Sequence, residues 1–333
     1  LPTAVEAQLP ADAQRAATST AAPDRVQGQL DDTSIIPRVS PSVEVRDLIL
    51  QNVPAGADKM FFNLGSLEID GVSVYSAADL QPVYADKLGQ NISLADLYAI
   101  SSKLTNKYRN DGYILTQVIV PPQTIEGGRA KLKVVEGYID SVSVEGVDDP
   151  SAMTLVRKYG EKLQSANALN VRELERYLLL ISDLPGMEAR SVLGPSSAQP
   201  GAATLRIIVE RDPYDALVAA DNFGSRYLGP VQFTGAGSTN SYFGNNERIS
   251  AQVVVAPDGR ELGFIGLGYE QPINDLGTKV ALYASHTHTE PGYDLEQFDV
   301  NGRSQFFSAT VEHPFIRSRS KNLYGYATFD WRD

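Results

Sequence analysis

The sequence predicts two α+β repeats of order β-α-α-β-β, followed by an all-β antiparallel sheet. Three observations carry that expectation. A strand-helix-helix-strand-strand order reads over residues 67–135 and again over 138–211. The strand ends Ile69-Asp70-Gly71-Val72 and Val144-Glu145-Gly146-Val147 lie 75 residues apart, and a whole element order returning at one offset marks an internal repeat. After residue 213 helical periodicity ceases, and residues 214–333 hold 18 of the 28 aromatic residues in 120 of 333 positions. The last third is therefore a different kind of structure from the first two.

Composition narrows the function classes. At about 150 residues per domain, 333 residues suggest two or three domains. A charged content of 21% and a hydrophobic content of 42% are ordinary for a globular chain. The net charge of −12 is spread as −3 over 1–60, −4 over 61–213 and −5 over 214–333, so no basic patch exists to attract nucleic acid. The absence of cysteine excludes a disulfide framework, a thiolate metal site and a Cys nucleophile. The longest apolar runs are short, such as Tyr177–Ile181, which predicts no transmembrane helix.

The elements follow in order. Residues 1–20 are Ala-rich and suit one amphipathic helix, with Pro2 and Pro10 against it. An Ala-rich tail would have the same composition. The start lacks a charged segment ahead of an apolar core, so it does not read as an intact signal peptide. Residues 21–58 carry Pro23, Pro37, Pro41 and Pro54 and read as a linker, with a short helix or strand within Val43–Val53. The first repeat occupies 59–137. Leu67–Val72 is its first strand. Ser76-Ala-Ala-Asp79 is a capping box that opens a helix to about residue 88. Asn91-Ile-Ser93 opens a second helix with Leu97, Ile100, Leu104 and Tyr108 as its apolar stripe, ended by Asp111-Gly112. Ile114–Val120 and Arg129–Val135 are the closing strands. The second repeat, 138–212, has a strand at Tyr138–Val147, helices at Pro150–Leu163 and from an Asn170 cap, and strands at Glu188–Leu193 and Thr204–Arg211.

From 213 to 333 seven strands are expected: Ala216–Phe223, Val231–Asn240, Arg248–Val255, Leu262–Glu270, Lys279–His286, Ser304–His313 and Leu323–Trp331. Val231, Phe233, Gly235, Gly237 and Thr239 share one face, and Ile249, Ala251, Val253 and Val255 continue it. The opposite face carries Gln, Ser, Thr, Arg, Lys and Glu. Strands of roughly 8–10 residues suit a tilted membrane crossing. A soluble sandwich would alternate too. Connections fall into two sets at opposite ends, as in an up-and-down sheet. Seven strands would leave both edges open in lipid, so a membrane barrel implies that these strands are part of a larger one.

The combination resembles the outer-membrane transporters of two-partner secretion, the haemolysin-activator and filamentous-haemagglutinin-transporter family. Phe62–Gly71 (FNLGSLEIDG), Tyr108–Tyr113 (YRNDGY), Val120-Pro-Pro-Gln123 and Val134-Val-Glu-Gly137 are similar to that family's first polypeptide-transport-associated (POTRA) domain. Ala220–Gly229 (ADNFGSRYLG) is similar to its first barrel hairpin. The motif residues are Gly71, Gly112, Tyr113, Gln123, Gly137, Asp221, Asn222, Gly224 and Gly229. The resemblance implies a plug helix over 1–20, a linker over 21–58, POTRA domains over 59–137 and 138–212, and the first part of a sixteen-strand outer-membrane barrel over 213–333. It implies a monomeric transporter in the outer membrane of a Gram-negative cell, its N-terminal half periplasmic. The partner is an exoprotein with an N-terminal secretion domain, moved without nucleotide or cofactor. The family's lumen-loop motif of Arg-Gly-Tyr type is absent from these residues.

An edge strand with free N–H and C=O groups can add an extended client. In the family the second strand of a POTRA sheet lies at the edge, which points to Thr116, Val118 and Val120, with Leu97, Tyr98 and Ile100 on the adjoining helix. That helix stripe reads mainly as core. His286 and His288 share a strand face without a third ligand, which fits solvated or interfacial histidines rather than a metal site. Gly235-Ala-Gly237 and Gly266-Leu-Gly268 lie in strands, and no nucleophile elbow is present, so no enzyme is expected. Tyr227, Tyr242, Tyr269 and Trp331 suit either an interfacial belt or ordinary strand packing. A barrel-assembly factor and a periplasmic binding or scaffold protein are the alternatives. Fewer POTRA copies than assembly factors carry disfavours the first; detergent dependence would separate the second.

Overall fold

Two serines set helix starts in the first α/β unit of this computed structural model, which describes residues 43–45, 52–164, 168–196 and 201–333. Ser93 accepts from the Asp96 N–H at 3.1 Å while the Asp96 carboxylate accepts from the Ser93 N–H at 2.9 Å. Ser76 and Asp79 form the same reciprocal pair. These boxes satisfy N–H groups that have no partner within the helix. The expected helix over 1–20, and all of the linker but residues 43–45 and 52–58, lie outside the described residues.

The chain order is β1 (Val43–Val45), β2 (Phe61–Asn63), β3 (Ser66–Asp70), α1 (Ala77–Leu80), β4 (Asn91–Ser93), α2 (Leu94–Asn110), β5 (Gln117–Ile119) and β6 (Arg129–Val135). The second unit is β7 (Tyr138–Glu145), α3 (Thr154–Gln164), α4 (Val171–Ser182), β8 (Met187–Pro195) and β9 (Ala202–Arg211). Then come β10 (Tyr214–Asp221), β11 (Gln232–Asn240), β12 (Arg248–Val255), β13 (Gly263–Pro272), β14 (Lys279–Thr289), β15 (Gly302–Arg317) and β16 (Asn322–Arg332).

The two α/β units share one topology. In the first, β3 runs parallel and β5 antiparallel to a central β6. In the second, β7 runs parallel and β8 antiparallel to a central β9. The repeat extends to single atoms. Gly71 and Gly146 both have positive φ, 80° and 110°. A Cβ at Gly71 would strike the Val134 carbonyl oxygen, and one at Gly146 the Val209 carbonyl oxygen. Each glycine lets the first strand end against the central strand, where a side chain would not fit.

Each unit has its own core. Leu97, Leu104, Tyr108 and Leu132 are fully buried in the first; Val156, Leu174, Leu178, Ile207 and Val209 are fully buried in the second. The apolar stripe of α2 is therefore packing surface.

Several boundaries differ from expectation. The helix expected from Ser76 to about residue 88 stops at Leu80 and continues as 3-10 turns at Gln81–Val83 and Ala85–Lys87. Pro82 lacks the N–H that would continue the ladder. Asn91–Ser93 is a strand paired with β2 before Ser93 caps α2. The strand expected over Ile114–Val120 shortens to Gln117–Ile119 because Thr116 N–H closes a turn onto Tyr113 O. The helix expected from Pro150 begins at Thr154. The loop before β15 contains a 3-10 turn, Tyr293–Phe298.

All seven expected strands are present, in one antiparallel sheet of sequential order β10 to β16. The register sorts the faces. Gly235, Val253, Ile265 and His286 lie in one row, and Gly237, Ala251, Leu267, Ala284, Phe307 and Trp331 in the next along that face. Val218, Phe233, Ile265, Leu267, Phe307 and Val311 are exposed there. The opposite face carries the row Asn240, Arg248, Glu270, Ala281, Thr310 and Thr328. Among the described residues no helix is long and apolar enough to cross a membrane, which says nothing about these strands.

Candidate functional site

Functional geometry is spread over a groove, two junctions and one sheet face. The groove lies on the first unit, between α2 and β5. It measures about 80 Å³ and opens beside Tyr98, Asn106, Arg109 and Gln117. As expected, β5 lies at the sheet edge. Its outward groups are engaged, however. Val118 N–H donates to Thr105 Oγ1 at 3.0 Å, and Ser101 Oγ donates to Val118 O at 2.6 Å. Thr116, Val118, Val120, Leu97 and Ile100 are all buried, and Thr116 and Val120 flank the strand rather than belong to it. Of the six candidate side chains only Tyr98 reaches the surface in part.

The corresponding edge in the second unit, β8, carries a strand of the same chain. β1 pairs with it in parallel, Val43 opposite Ser191, Glu44 opposite Val192 and Val45 opposite Leu193. The sequence left Val43–Val53 open between helix and strand. The choice is made by an edge about 150 residues away, where unpaired N–H and C=O groups accept a partner.

Glu136 organises the end of the first unit. It accepts from the N–H groups of Ser73 at 2.9 Å and Val74 at 3.0 Å, from the Ser73 hydroxyl, and from Tyr108 Oη at 3.1 Å. Burial works to raise its pKa, but these four donors outweigh it and hold the carboxyl below the usual range. Burial, and then Glu136 itself, push the Tyr108 hydroxyl well above its ordinary value. Tyr75 and Tyr108 meet edge-to-face at 4.7 Å between ring centres, and the motif residue Tyr113 packs against both.

Hydrogen bonds and apolar packing join the two units. Val171 N–H donates to Gly112 O at 2.8 Å, and Leu169 N–H to Gly137 O at 2.9 Å. Asn170 caps α4 by accepting from Arg172 N–H at 2.9 Å and donates through Nδ2 to Asp111 O at 3.3 Å. Ile114 and Leu115 pack into the second unit's core. That is why they leave the strand predicted for them.

The second unit is fastened to the turns of the large sheet. Arg317 meets Asp183 through two parallel contacts of 2.7 and 2.8 Å. Arg176 donates to the carbonyls of Pro314, Leu276 and Phe315 at 3.0, 3.3 and 3.4 Å. Arg211 spans Asp149 at 2.9 Å and the carbonyls of Asn240 and Ser241 at 2.7 and 2.8 Å. Asn246 Nδ2 donates to Ala152 O at 2.7 Å. Sequence reasoning did not single out these residues. The available signal was position: Asp183 precedes the Pro185-Gly186 stop, and Arg317 closes β15.

Between this fastening and the polar sheet face is a cavity of about 290 Å³, lined in part by Tyr159, Asp183, Glu270, Lys279, Glu312 and Tyr324. Lys279 Nζ lies 3.4 Å from both Glu270 and Glu312. Several of the remaining motif residues make contacts within the chain. Gln123 bridges Lys131 through both its amide atoms. Asp221 accepts from Phe223 N–H at 3.0 Å just before Gly224, where a Cβ would strike Gly229 O; Asn222 lies between them. His288 lies 3.1 Å from Glu290, and His313 lies 2.8 Å from Thr278.

The class these features define is a chain of two α/β units fastened to a two-faced antiparallel sheet. Residues 62–137 match the family model described as POTRA domain, ShlB-type. The chain is 23% identical over 252 residues to the heme/hemopexin transporter protein HuxB of Haemophilus influenzae strain 86-028NP, covering 76% of this chain and 44% of that protein. It is 24% identical over 190 residues to the outer membrane transporter CdiB of Escherichia coli, covering 57% of this chain and 32% of that protein. The chain thus spans less than half the length of these relatives. The solved structure of CdiB from Escherichia coli shares its fold, with a TM-score of 0.69 and 19% identity over 99% of this chain and 61% of that one. CdiB from Acinetobacter baumannii does so with a TM-score of 0.59 and 15% identity over 98% of this chain and 65% of that one. The chain is thus similar in sequence to these transporters over part of its length, and its fold is that of the two CdiB structures.

Proposed function

We propose that the protein acts in the outer membrane as a translocator: its α/β units capture a partner exoprotein in the periplasm and pass it to a barrel of which β10–β16 are one wall. The observation that carries this reading is the two-faced sheet. Its strands are 8 to 16 residues long, with exposed apolar side chains predominating on one face and polar side chains on the other. A sheet in lipid needs that division, because the hydrocarbon solvates neither polar side chains nor open backbone. The second unit, read as a second POTRA domain, is ion-paired to the turns at one end of that wall, and this orients the wall with those turns toward the periplasm.

The client would meet the first unit along β5 and α2, the region of Thr116, Val118, Val120, Leu97, Tyr98 and Ile100. The relatives bear the names of transporters, and no reaction is assigned to this chain. Contact with outer-membrane lipid and action as a single copy belong to the same reading.

The test is co-expression of the full-length protein with the exoprotein encoded beside it. The exoprotein is expected in the medium, and deletion of residues 59–212 is expected to stop its release while the barrel stays in the outer-membrane fraction. Partition of the full-length protein into the aqueous phase of a detergent separation would overturn the reading.

A further inference from the structure

Within the capture reading above, on which this inference rests, the groove between α2 and β5 offers an incoming client little main-chain pairing. The outward N–H and C=O of Val118 are already held by Thr105 and Ser101, both nearly buried. Strand addition there would first have to break two buried hydrogen bonds.

What the groove offers is side-chain donors. Arg109 lines it, half-buried near the C-terminal end of α2. Its Nε is shielded from solvent and has no hydrogen-bond acceptor. Its side chain makes no ion pair among the described residues. Tyr98, Asn106 and Gln117 flank it, and the side chains of Asn106 and Gln117 have no partner among the described residues. The lining contains no acidic side chain. A guanidinium carries five donors and no acceptor, and a shielded donor left without a partner is costly. The group that matches its planar fork is a carboxylate, bound by two parallel hydrogen bonds.

We propose that this groove is an acidic-side-chain subsite: Arg109 anchors an Asp or Glu carboxylate of the client, with Asn106 and Gln117 as flanking amide contacts. Recognition in the first unit then depends on a client side chain, and main-chain pairing is secondary. The overall charge of −12 does not oppose this, because binding is decided by the local lining.

The test uses the full-length protein in detergent and three fluorescent octapeptides, identical except for a central Asp, Asn or Lys, read by anisotropy. The Asp peptide is expected to bind best. Arg109→Gln should weaken it by about tenfold or more, the loss of a charge-assisted pair. Arg109→Lys should fall between, keeping charge without the fork. Lys103→Gln, outside the lining, should change nothing. Unaltered melting of Arg109→Gln by circular dichroism separates lost binding from lost fold. Equal binding by Arg109→Gln, equal binding of the Asp and Lys peptides, or no binding by the unsubstituted protein overturns the proposal. Co-expression with the neighbouring exoprotein separates it from the broader reading. Normal secretion by both the unsubstituted protein and Arg109→Gln sinks the subsite alone. Failure of the unsubstituted protein to secrete sinks the translocator reading and the subsite with it.

Discussion

Arg317 and Asp183, 134 residues apart, face each other fork to fork, with Nε 2.7 Å from one carboxylate oxygen and Nη2 2.8 Å from the other. Both side chains are largely shielded, at 13% and 23% exposure, so the pair is stronger than a surface ion pair. Arg317 ends β15 and Asp183 caps α4, so one contact ties the last α/β unit to the wall.

That geometry makes charge alone insufficient. Arg317→Lys keeps the charge and loses the fork, and should cost about 1–3 kcal/mol of the stability of the joined unit. Arg317→Ala should cost more, since it leaves the Asp183 carboxylate shielded without its partner. Thermal unfolding of the full-length protein in detergent gives the ranking; a lysine variant as stable as the original would refute the fork's importance.

Gly71→Ala and Gly146→Ala should destabilise alike, each by more than about 1 kcal/mol, since both meet positive φ and a carbonyl collision. Gly194→Ala is the control, because a Cβ there meets nothing within 4 Å. Urea unfolding of the three variants should place the first two together and the third near the original.

The Glu136 carboxyl has a folded pKa below its ordinary value of 4.5. Its contribution is therefore fully present above pH 4.5 and disappears as pH falls through the lowered folded value. Near-ultraviolet circular dichroism of the Tyr75, Tyr108 and Tyr113 cluster should report the acid loss. Glu136→Gln should be less stable near neutrality and should flatten that acid dependence.

Proline at position 44 removes a donor from β1 and disrupts its parallel pairing with β8. Amide exchange over Ser191–Leu193 is expected to quicken in Glu44→Pro, while exchange in β9, paired on the other side, stays slow. No change at residues 191–193 would show that β1 does not protect this edge.

Ser101→Ala and Thr105→Val each strip one partner from Val118. Each is expected to cost about 1–3 kcal/mol, the penalty for a buried backbone group left unsatisfied. Thr105→Val should be markedly less than additive with Val118→Pro, which removes the same N–H from the other side, whereas Ser101→Ala, which acts on the Val118 carbonyl, should be closer to additive. Chemical unfolding of single and double variants measures this directly.

Much of the fold was legible along the chain. The Ser93 and Asp96 box, the Asn170 cap and the seven alternating strands depend on neighbours within a few residues, and they appear where the pattern puts them. The candidate site was legible only in outline. Its edge strand was found, but five of the six chosen side chains point into the core, because a period-2 pattern tells faces apart without saying which face is covered by a helix. Arg109 went unnoticed because a lone arginine near a helix end has no sequence signature.

By itself, the sequence determined the two β-α-α-β-β units, their 75-residue offset and the apolar and polar faces of the wall, since spacing and periodicity are properties of local chain geometry. Only the tertiary structure decided which sheet edges are open. Val118 is sealed by hydroxyls 13 and 17 residues away, and Ser191–Leu193 is covered by a strand from the start of the chain. Whether a backbone group is free depends on what folds against it, and that partner lies at a distance no local pattern records.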